Sequence, residues 1–412
     1  MTIEDTRAPV GLAARRPAQL PSLTGMRWWA ASAVFALHTV VFLPAYPFQH
    51  SETFRRIHAV LPMQLGAAGV TFFFVLSGFI LYWNRRPGDS AKSFLRRRFL
   101  KIYPTHVLAL VFLLVVAPVP LARAVVWLPN LLLIHTWTPG WTALGGLNVP
   151  SWSLVAEVLF YLSFPVLAPY VDRLRDHQIL PGLIAVFAMI VALHCAFYLF
   201  ADGPKGVANI FVPRLLPGDV TPEHEIHSAP VWFAQDSIPV TPSYWLSYNF
   251  PPSRLLEFYI GALTAKLVMV GRFTATRYRY PLLLLAAGYA LTWVVPLNFK
   301  LSVPIILPAA YVIATACCRD TAGYRGLNAS RPLLWLGNLS FAFYLVQYPI
   351  MVTVTQTWMS GHRYDIGGWL AWSAICLVLS ITLAAAIFRY VDRPITQWAR
   401  SIDRRQRSSA PT

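Results

Sequence analysis

Arg27 and His38 stand in the first long apolar stretch of this chain, where ionisable side chains are expensive to bury. An imidazole held at membrane depth is a functional candidate on that ground alone. Eleven positions separate the two, about three helical turns, so both fall on nearly one face, roughly 16 Å apart. A guanidinium at the membrane edge, with an imidazole near the midplane, suits a long substrate with an anionic head and a reactive tail. Acyl-coenzyme A has that shape. A neutral imidazole, with its ordinary pKa of about 6.5, is the natural base for a hydroxyl attacking a thioester.

Other polar residues in apolar runs extend the set. A carboxylate on the second ring nitrogen would fix the tautomer of His38 and stabilise the imidazolium; Glu157 and Glu257 are both candidates. Fixed donors for an oxyanion could come from Gln347, Asn148 or Ser153. Arg27 with Arg96, Arg97, Arg98 and Lys101 would make a phosphate-binding patch. Trp152, Ser153, Arg254, Asn338, Tyr344 and Gln347 are candidates to line the acceptor side of one cavity. Plainer readings stand beside these. Arg96–Arg98 and Lys101 also satisfy the rule that cytoplasmic loops are basic, and Trp152 and Tyr344 also suit packing or interfacial anchoring. Either glutamate would also serve as a partner of Arg254, and His135 and His194 as packing histidines.

The elements that must position these groups are apolar. Hydrophobic residues make up 56% of the 412, charged residues only 12%, and mean hydropathy is +0.52, which excludes an ordinary soluble domain. The net charge of +17 would suggest nucleic acid in a soluble protein. Here the basic residues cluster between apolar runs, so no nucleic-acid partner is expected. Long apolar runs near 28–44, 63–83, 102–120, 152–171, 179–200, 253–270, 281–296, 302–318, 335–358 and 368–388 are each close to a bilayer-spanning length. A run near 124–137 is shorter and contains Pro129, Asn130 and His135. Counting it as re-entrant puts every strongly basic loop on the cytoplasmic side.

The expectation is therefore an all-α integral membrane protein of about ten transmembrane helices around a central cavity, with both termini cytoplasmic. Residues 1–25 read as a cytoplasmic tail, 26–390 as the transmembrane domain, 201–252 as an external loop and 391–412 as a second tail. Four cysteines, Cys195, Cys317, Cys318 and Cys376, lack paired spacing, so neither a metal site nor a disulfide framework is expected.

The motifs in order make the chain resemble the acyltransferase-3 family of multi-pass membrane O-acyltransferases, over nearly its whole length. They begin with Leu23-Thr24-Gly25-Met26-Arg27 running to His38, then Phe73-Phe74-Val75-Leu76-Ser77-Gly78-Phe79. Phe94-Leu95-Arg96-Arg97-Arg98-Phe99-Leu100-Lys101-Ile102-Tyr103-Pro104 and Asn148-Val149-Pro150-Ser151-Trp152-Ser153-Leu154 with Glu157 follow. Arg254-Leu255-Leu256-Glu257-Phe258 and Leu336-Gly337-Asn338-Leu339-Ser340-Phe341 with Tyr344-Leu345 complete the set. The resemblance implies acyl transfer, most often acetyl, from acyl-coenzyme A to a hydroxyl, with no permanently bound cofactor. It implies His38 as base and Arg27 as its companion. The implied acceptors are sugars of cell-surface glycans, lipid-linked saccharides or antibiotics such as macrolides, and the implied location is a bacterial cell membrane.

Two positions depart from the family's pattern: Gln347 stands where histidine is common, and the closing segment reads Asp392-Arg393-Pro394. The hydrolase-like domain of some relatives is not seen, which favours direct transfer to the final acceptor. Among acceptors, a glycosylated secondary metabolite is favoured slightly by the arginine-rich composition. The rival expectation is a transporter or flippase of a lipid-linked saccharide. It calls for internal repeats with paired broken helices, and no convincing repeat is visible.

Overall fold

The computed structural model describes residues 20–43, 45–60, 63–85, 88–116, 124–140, 147–203, 205–207, 240–359 and 361–408. Most of the expected N-terminal tail and the middle of the expected external loop lie outside the described residues. Every regular element among them is helical. The long helices follow the apolar runs: α1 (Pro21–Phe42), α2 (Met63–Trp83), α3 (Ala91–Val116), α4 (Trp152–Arg173), α5 (Asp176–Phe200), α6 (Pro251–Met269), α7 (Arg279–Leu291), α8 (Val303–Thr321), α9 (Arg331–Val354) and α10 (Ile366–Ile387). A last helix, α11 (Arg393–Ser408), follows a π turn at Phe388–Asp392.

Local chemistry sets the boundaries. Proline occupies the first turn of α1, α6, α8 and α9, where its missing N–H has no intrahelical partner to lose. The Asp365 side chain accepts from the Gly368 N–H at 2.9 Å and caps α10. Lys266, buried on α6, donates to the carbonyls of Val171, Asp172 and Leu174 at 2.6, 2.9 and 2.6 Å. Those acceptors lie at the end of α4, where a cation complements the helix dipole.

Seven of the long helices are long and apolar enough to cross a bilayer: α2, α3, α4, α5, α8, α9 and α10. The other three fall short for different reasons. With 13 residues, α7 reaches only about 20 Å. In α6, Arg254, Glu257 and Lys266 fall within 19 residues. In α1 the length suffices, but Arg27 and His38 dilute its apolar content. Both α1 and α6 are enclosed by other helices, which is why they tolerate charge. In α6 the twelve consecutive residues Glu257–Val268 are all buried.

Packing follows from that interior position. Helix α6 lies against α2, α4, α5 and α8, while α1 lies against α9 and α2. Glycine permits the closest approaches. A Cβ on Gly78 would sit 1.7 Å from the Phe258 carbonyl oxygen, and one on Gly261 1.9 Å from that of Val75. A Cβ on Gly337 would sit 2.0 Å from the Thr24 oxygen, so α1 and α9 meet backbone to backbone beside Arg27.

The run near 124–137 forms only eight helical residues, Ala124–Leu131, about 12 Å long. The chain then turns back through Leu133, whose φ is 54°. The Asn130 side chain and the carbonyls of Asn130 and Thr136 are tied inside the protein, which suits irregular backbone at membrane depth. The Asn130 carbonyl pairs with His106 Nε2 at 2.9 Å, and Asn130 Nδ2 donates to Ser151 Oγ at 3.0 Å. Trp245 Nε1 donates to the Thr136 carbonyl at 2.9 Å.

Candidate active site

Because α4 begins inside the protein rather than at a surface, its first residues are buried. Asn148, Ser151, Trp152 and Ser153 are all shielded from solvent. Asn148 Nδ2 donates to the Leu345 carbonyl at 3.1 Å, and Tyr344 Oη donates to the Pro150 carbonyl at 2.8 Å. Ser153 Oγ and Tyr344 Oη are 3.0 Å apart. Trp152 packs on Tyr248 and Phe74, with ring centroids 4.6 and 6.2 Å away. The start of α4 is thus clamped to α9, which fixes where the next turn presents Glu157.

Glu157 is the hub of a charged cluster. Its Oε2 accepts from Tyr161 Oη at 3.0 Å, one turn further along α4. Arg27, Lys101 and Arg98 are close enough to act on its charge, from α1 and α3. The cluster carries three cations and one anion, so it retains positive charge for a polyanionic ligand. The basic run on α3 divides. Arg98 and Lys101 turn to Glu157, with the Arg98 guanidinium over the Phe94 ring at 5.6 Å. Arg97 pairs instead with Asp89 and donates to Ser93 Oγ at 2.7 Å. Arg96 is half-buried on the same helix.

His38 lies further along α1 and is 9% exposed. Its ring meets Phe42 edge-on at 4.9 Å, and Phe42 in turn meets Tyr348 at 4.9 Å. Its Nδ1 has no hydrogen-bond partner among the described residues. Next to it, the Thr39 carbonyl accepts from Trp369 Nε1 at 3.1 Å, which anchors this turn of α1 to α10. Gln347 is fully buried, and its Nε2 donates to the Tyr344 carbonyl of its own helix at 3.1 Å. Counting from the Gly337–Thr24 contact, Gln347 is about 6 Å from the level of His38 along the helix axes.

The structure brings neither glutamate to His38. Glu157 is hydrogen-bonded by Tyr161, and the cations near it are Arg27, Arg98 and Lys101 at the other end of the shared face. Glu257 Oε1 is 2.9 Å from Arg254 Nη1, one turn away on α6. Arg254 is itself fully buried, donating to Thr71 Oγ1 at 3.1 Å between the rings of Phe74 and Tyr248, each 5.2 Å away. A buried carboxylate left unpaired is costly, and Arg254 is the cation that meets that of Glu257. Arg254 accordingly lies behind Trp152, through Phe74 and Tyr248, and not at a substrate surface. Asn338 also falls away from the buried groups, exposed on α9.

Two groups outside the candidate set join the site's walls. Asp392 accepts from Thr105 Oγ1 at 2.6 Å and faces Lys101. Its sequence signal is its place in the closing Asp392-Arg393-Pro394 segment. His106 and His135 are neighbours in the re-entrant network; His106 holds Asn130, whereas neither His135 nitrogen is paired among the described residues. His194 is a satisfied packing residue, its Nδ1 2.8 Å from the Ile190 carbonyl. Among the described residues no group of side chains could hold a metal ion.

Residues 20–389 match the acyltransferase-3 family, described as an acyltransferase domain. The chain is 35% identical over 379 residues to acyltransferase MdmB of Streptomyces mycarofaciens, covering 90% of this chain and 89% of that protein. It is 24% identical over 375 residues to the putative peptidoglycan O-acetyltransferase YrhL of Bacillus subtilis (strain 168), covering 82% of this chain and 52% of that one. The protein belongs to the acyltransferase-3 family of multi-pass membrane acyltransferases.

Proposed function

We propose that this protein transfers an acyl group, most simply acetyl, from acyl-coenzyme A to a hydroxyl of a carbohydrate or a glycosylated natural product such as a macrolide. In this reading ten helices cross a bacterial cell membrane, both ends are cytoplasmic, and the donor enters from the cytoplasm. One observation carries it: Arg27, Arg98 and Lys101 gather around Glu157 on the face of α1 that His38 shares, about 16 Å away. That spacing supports a donor whose phosphates are held at one end and whose thioester is presented at the other.

The chemistry follows from those positions. His38 takes the proton of the acceptor hydroxyl as its oxygen attacks the thioester carbonyl. The carbon–sulfur bond breaks, and the coenzyme A thiolate leaves and is protonated. Gln347 Nε2 and Asn148 Nδ2, each holding a main-chain carbonyl with one hydrogen, have a second amide hydrogen to donate toward the developing oxyanion. Glu157 acts as the counter-ion that holds the three cations in register, and Trp152, Ser153 and Tyr344 wall the acceptor side. The higher identity to the Streptomyces acyltransferase than to the putative peptidoglycan O-acetyltransferase, of which only 52% is covered, weighs against a peptidoglycan acceptor.

The test is transfer by purified protein from radiolabelled acetyl-coenzyme A to a panel of sugars, glycan fragments and glycosylated macrolides. Label appearing as an alkali-labile ester on one class supports the reading and names the acceptor. Absence of both donor binding and transfer across the panel would overturn it.

A further inference from the structure

The opposite side of α1 borders a second cavity. On a helical wheel Ser22, Met26, Trp29, Ala30 and Ala33 fall on the face away from Arg27 and His38. They line a half-open groove of about 780 Å³ closed by α2, α7 and α8. That volume is in the range of pockets that take small amphiphiles, roughly 300–1,000 Å³. Small residues make the room: Ala30, Ala33, Ala68, Gly69 and Ala286 all line it, with Gly69 packed against the Ala30 backbone.

The groove is polar at one end only. Arg319, Tyr324 and Asn328 come from the segment where α8 ends, beside Ser22 where α1 begins. Arg319 is its single charged lining residue, and its guanidinium rests on the rings of Tyr278 and Tyr324, 5.9 and 5.1 Å away. The nearest carboxylate in sequence, Asp320, is already engaged by Ser22. Beyond this end the lining is apolar, and the α7 wall carries Leu282, Leu285 and Ala286, of which Leu282 is exposed. An apolar trough open to a bilayer fills with hydrocarbon, not water. A cation at its mouth, among the basic residues Arg277, Arg279, Arg325 and Arg331, selects a negative headgroup.

We propose that this groove binds one anionic phospholipid, an acyl chain along α1 and its phosphate against Arg319. The leaflet, cytoplasmic, rests on the topology proposed above; the groove and its polarity do not. Since α1 is the wall between the lipid and the Arg27–His38 face, the lipid braces the helix that carries the chemistry.

The test reads lipid, not acyl transfer, and so is independent of the proposed reaction. Full-length protein is purified in mild detergent and its bound phospholipids are counted by mass spectrometry. Wild type should retain phosphatidylglycerol in preference to phosphatidylcholine, and Ala286→Trp, which fills the trough, should lose it about tenfold. Arg319→Gln should keep a chain but lose the preference for the anionic headgroup. A photoreactive phosphatidylglycerol with a tail diazirine should crosslink to residues 282–289 and 305–316 of the unmodified protein, which covers the case in which Ala286→Trp fails to fold. Equal retention of both lipids by wild type, or crosslinks confined to other helices, would overturn the proposal. So would displacement of the lipid by long-chain acyl-coenzyme A, which would make the groove part of the donor site.

Discussion

Asp320, at the end of α8, accepts two hydrogen bonds from Ser22 at the start of α1: the backbone N–H at 2.8 Å and Oγ at 2.6 Å. The residue preceding α1, Leu20, offers no side-chain cap, so a carboxylate 298 positions away supplies one. Arg27 stands five residues further on, and the seating of the donor cluster depends on this distant cap. Asp320→Ala should cost about 1 kcal/mol of stability and raise the KM for acyl-coenzyme A more than it lowers kcat. Asp320→Asn, which keeps one acceptor oxygen, should recover part of both. Thermal unfolding in detergent alongside steady-state kinetics checks this; unchanged KM in the Ala variant would detach the cap from the site.

His38→Ala should abolish transfer while leaving expression and membrane insertion intact, because the side chain makes one edge contact with Phe42 and Nδ1 makes no bond. Loss of a general base typically costs about 10²–10⁴-fold in rate. Activity within a few-fold of wild type would remove His38 from the mechanism.

Arg27→Ala should raise the KM for acyl-coenzyme A roughly ten- to a hundred-fold, the loss of a charge-assisted contact, and leave that for the acceptor nearly unchanged. Lysine should rescue only in part, since a point charge cannot reproduce the planar fork. Free substitution by lysine would mean that Arg27 merely anchors α1.

Glu157→Gln separates two roles for this carboxylate. As the counter-ion of Arg27, Arg98 and Lys101 it should alter donor KM while the acid limb of the kcat pH profile stays at the wild-type position. A shifted limb would place Glu157 behind His38 instead.

Breaking the Arg254–Glu257 pair one side at a time leaves a buried charge. Arg254→Met should therefore cost about 3–5 kcal/mol and reduce the yield of folded protein. The double variant Arg254→Met with Glu257→Met should recover most of that stability and retain activity, as expected of a structural pair. A stable but inactive double variant would return these residues to the chemistry.

The limits of reading the site from sequence are visible in these same residues. The shared face of Arg27 and His38 follows from helical periodicity, and the pairing of Arg254 with Glu257 from their spacing of three. Both are local and therefore legible. The shortness of the 124–137 run was legible too, in its proline, asparagine and histidine. That Glu157 belongs with Arg27, 130 positions away, depends on which helices are neighbours, and periodicity says nothing of that. The diversion of Arg97 to Asp89, the burial of Arg254 and the place of Asp392 are of the same kind. Hydropathy also misleads in one direction: α1 and α6 look weakest as membrane segments because, enclosed by other helices, they carry the polar groups.

Asp392 has a practical corollary. It lies three residues beyond the stretch that matches the family, and past the last long apolar helix, yet it bonds Thr105 and faces Lys101. A chain cut after Ile387 would keep every long helix and lose the Asp392 partner of Thr105, beside the proposed donor site. The working boundary of the enzyme therefore falls in its tail, and chimaeras joined at the end of α10 would exchange this contact along with the tail.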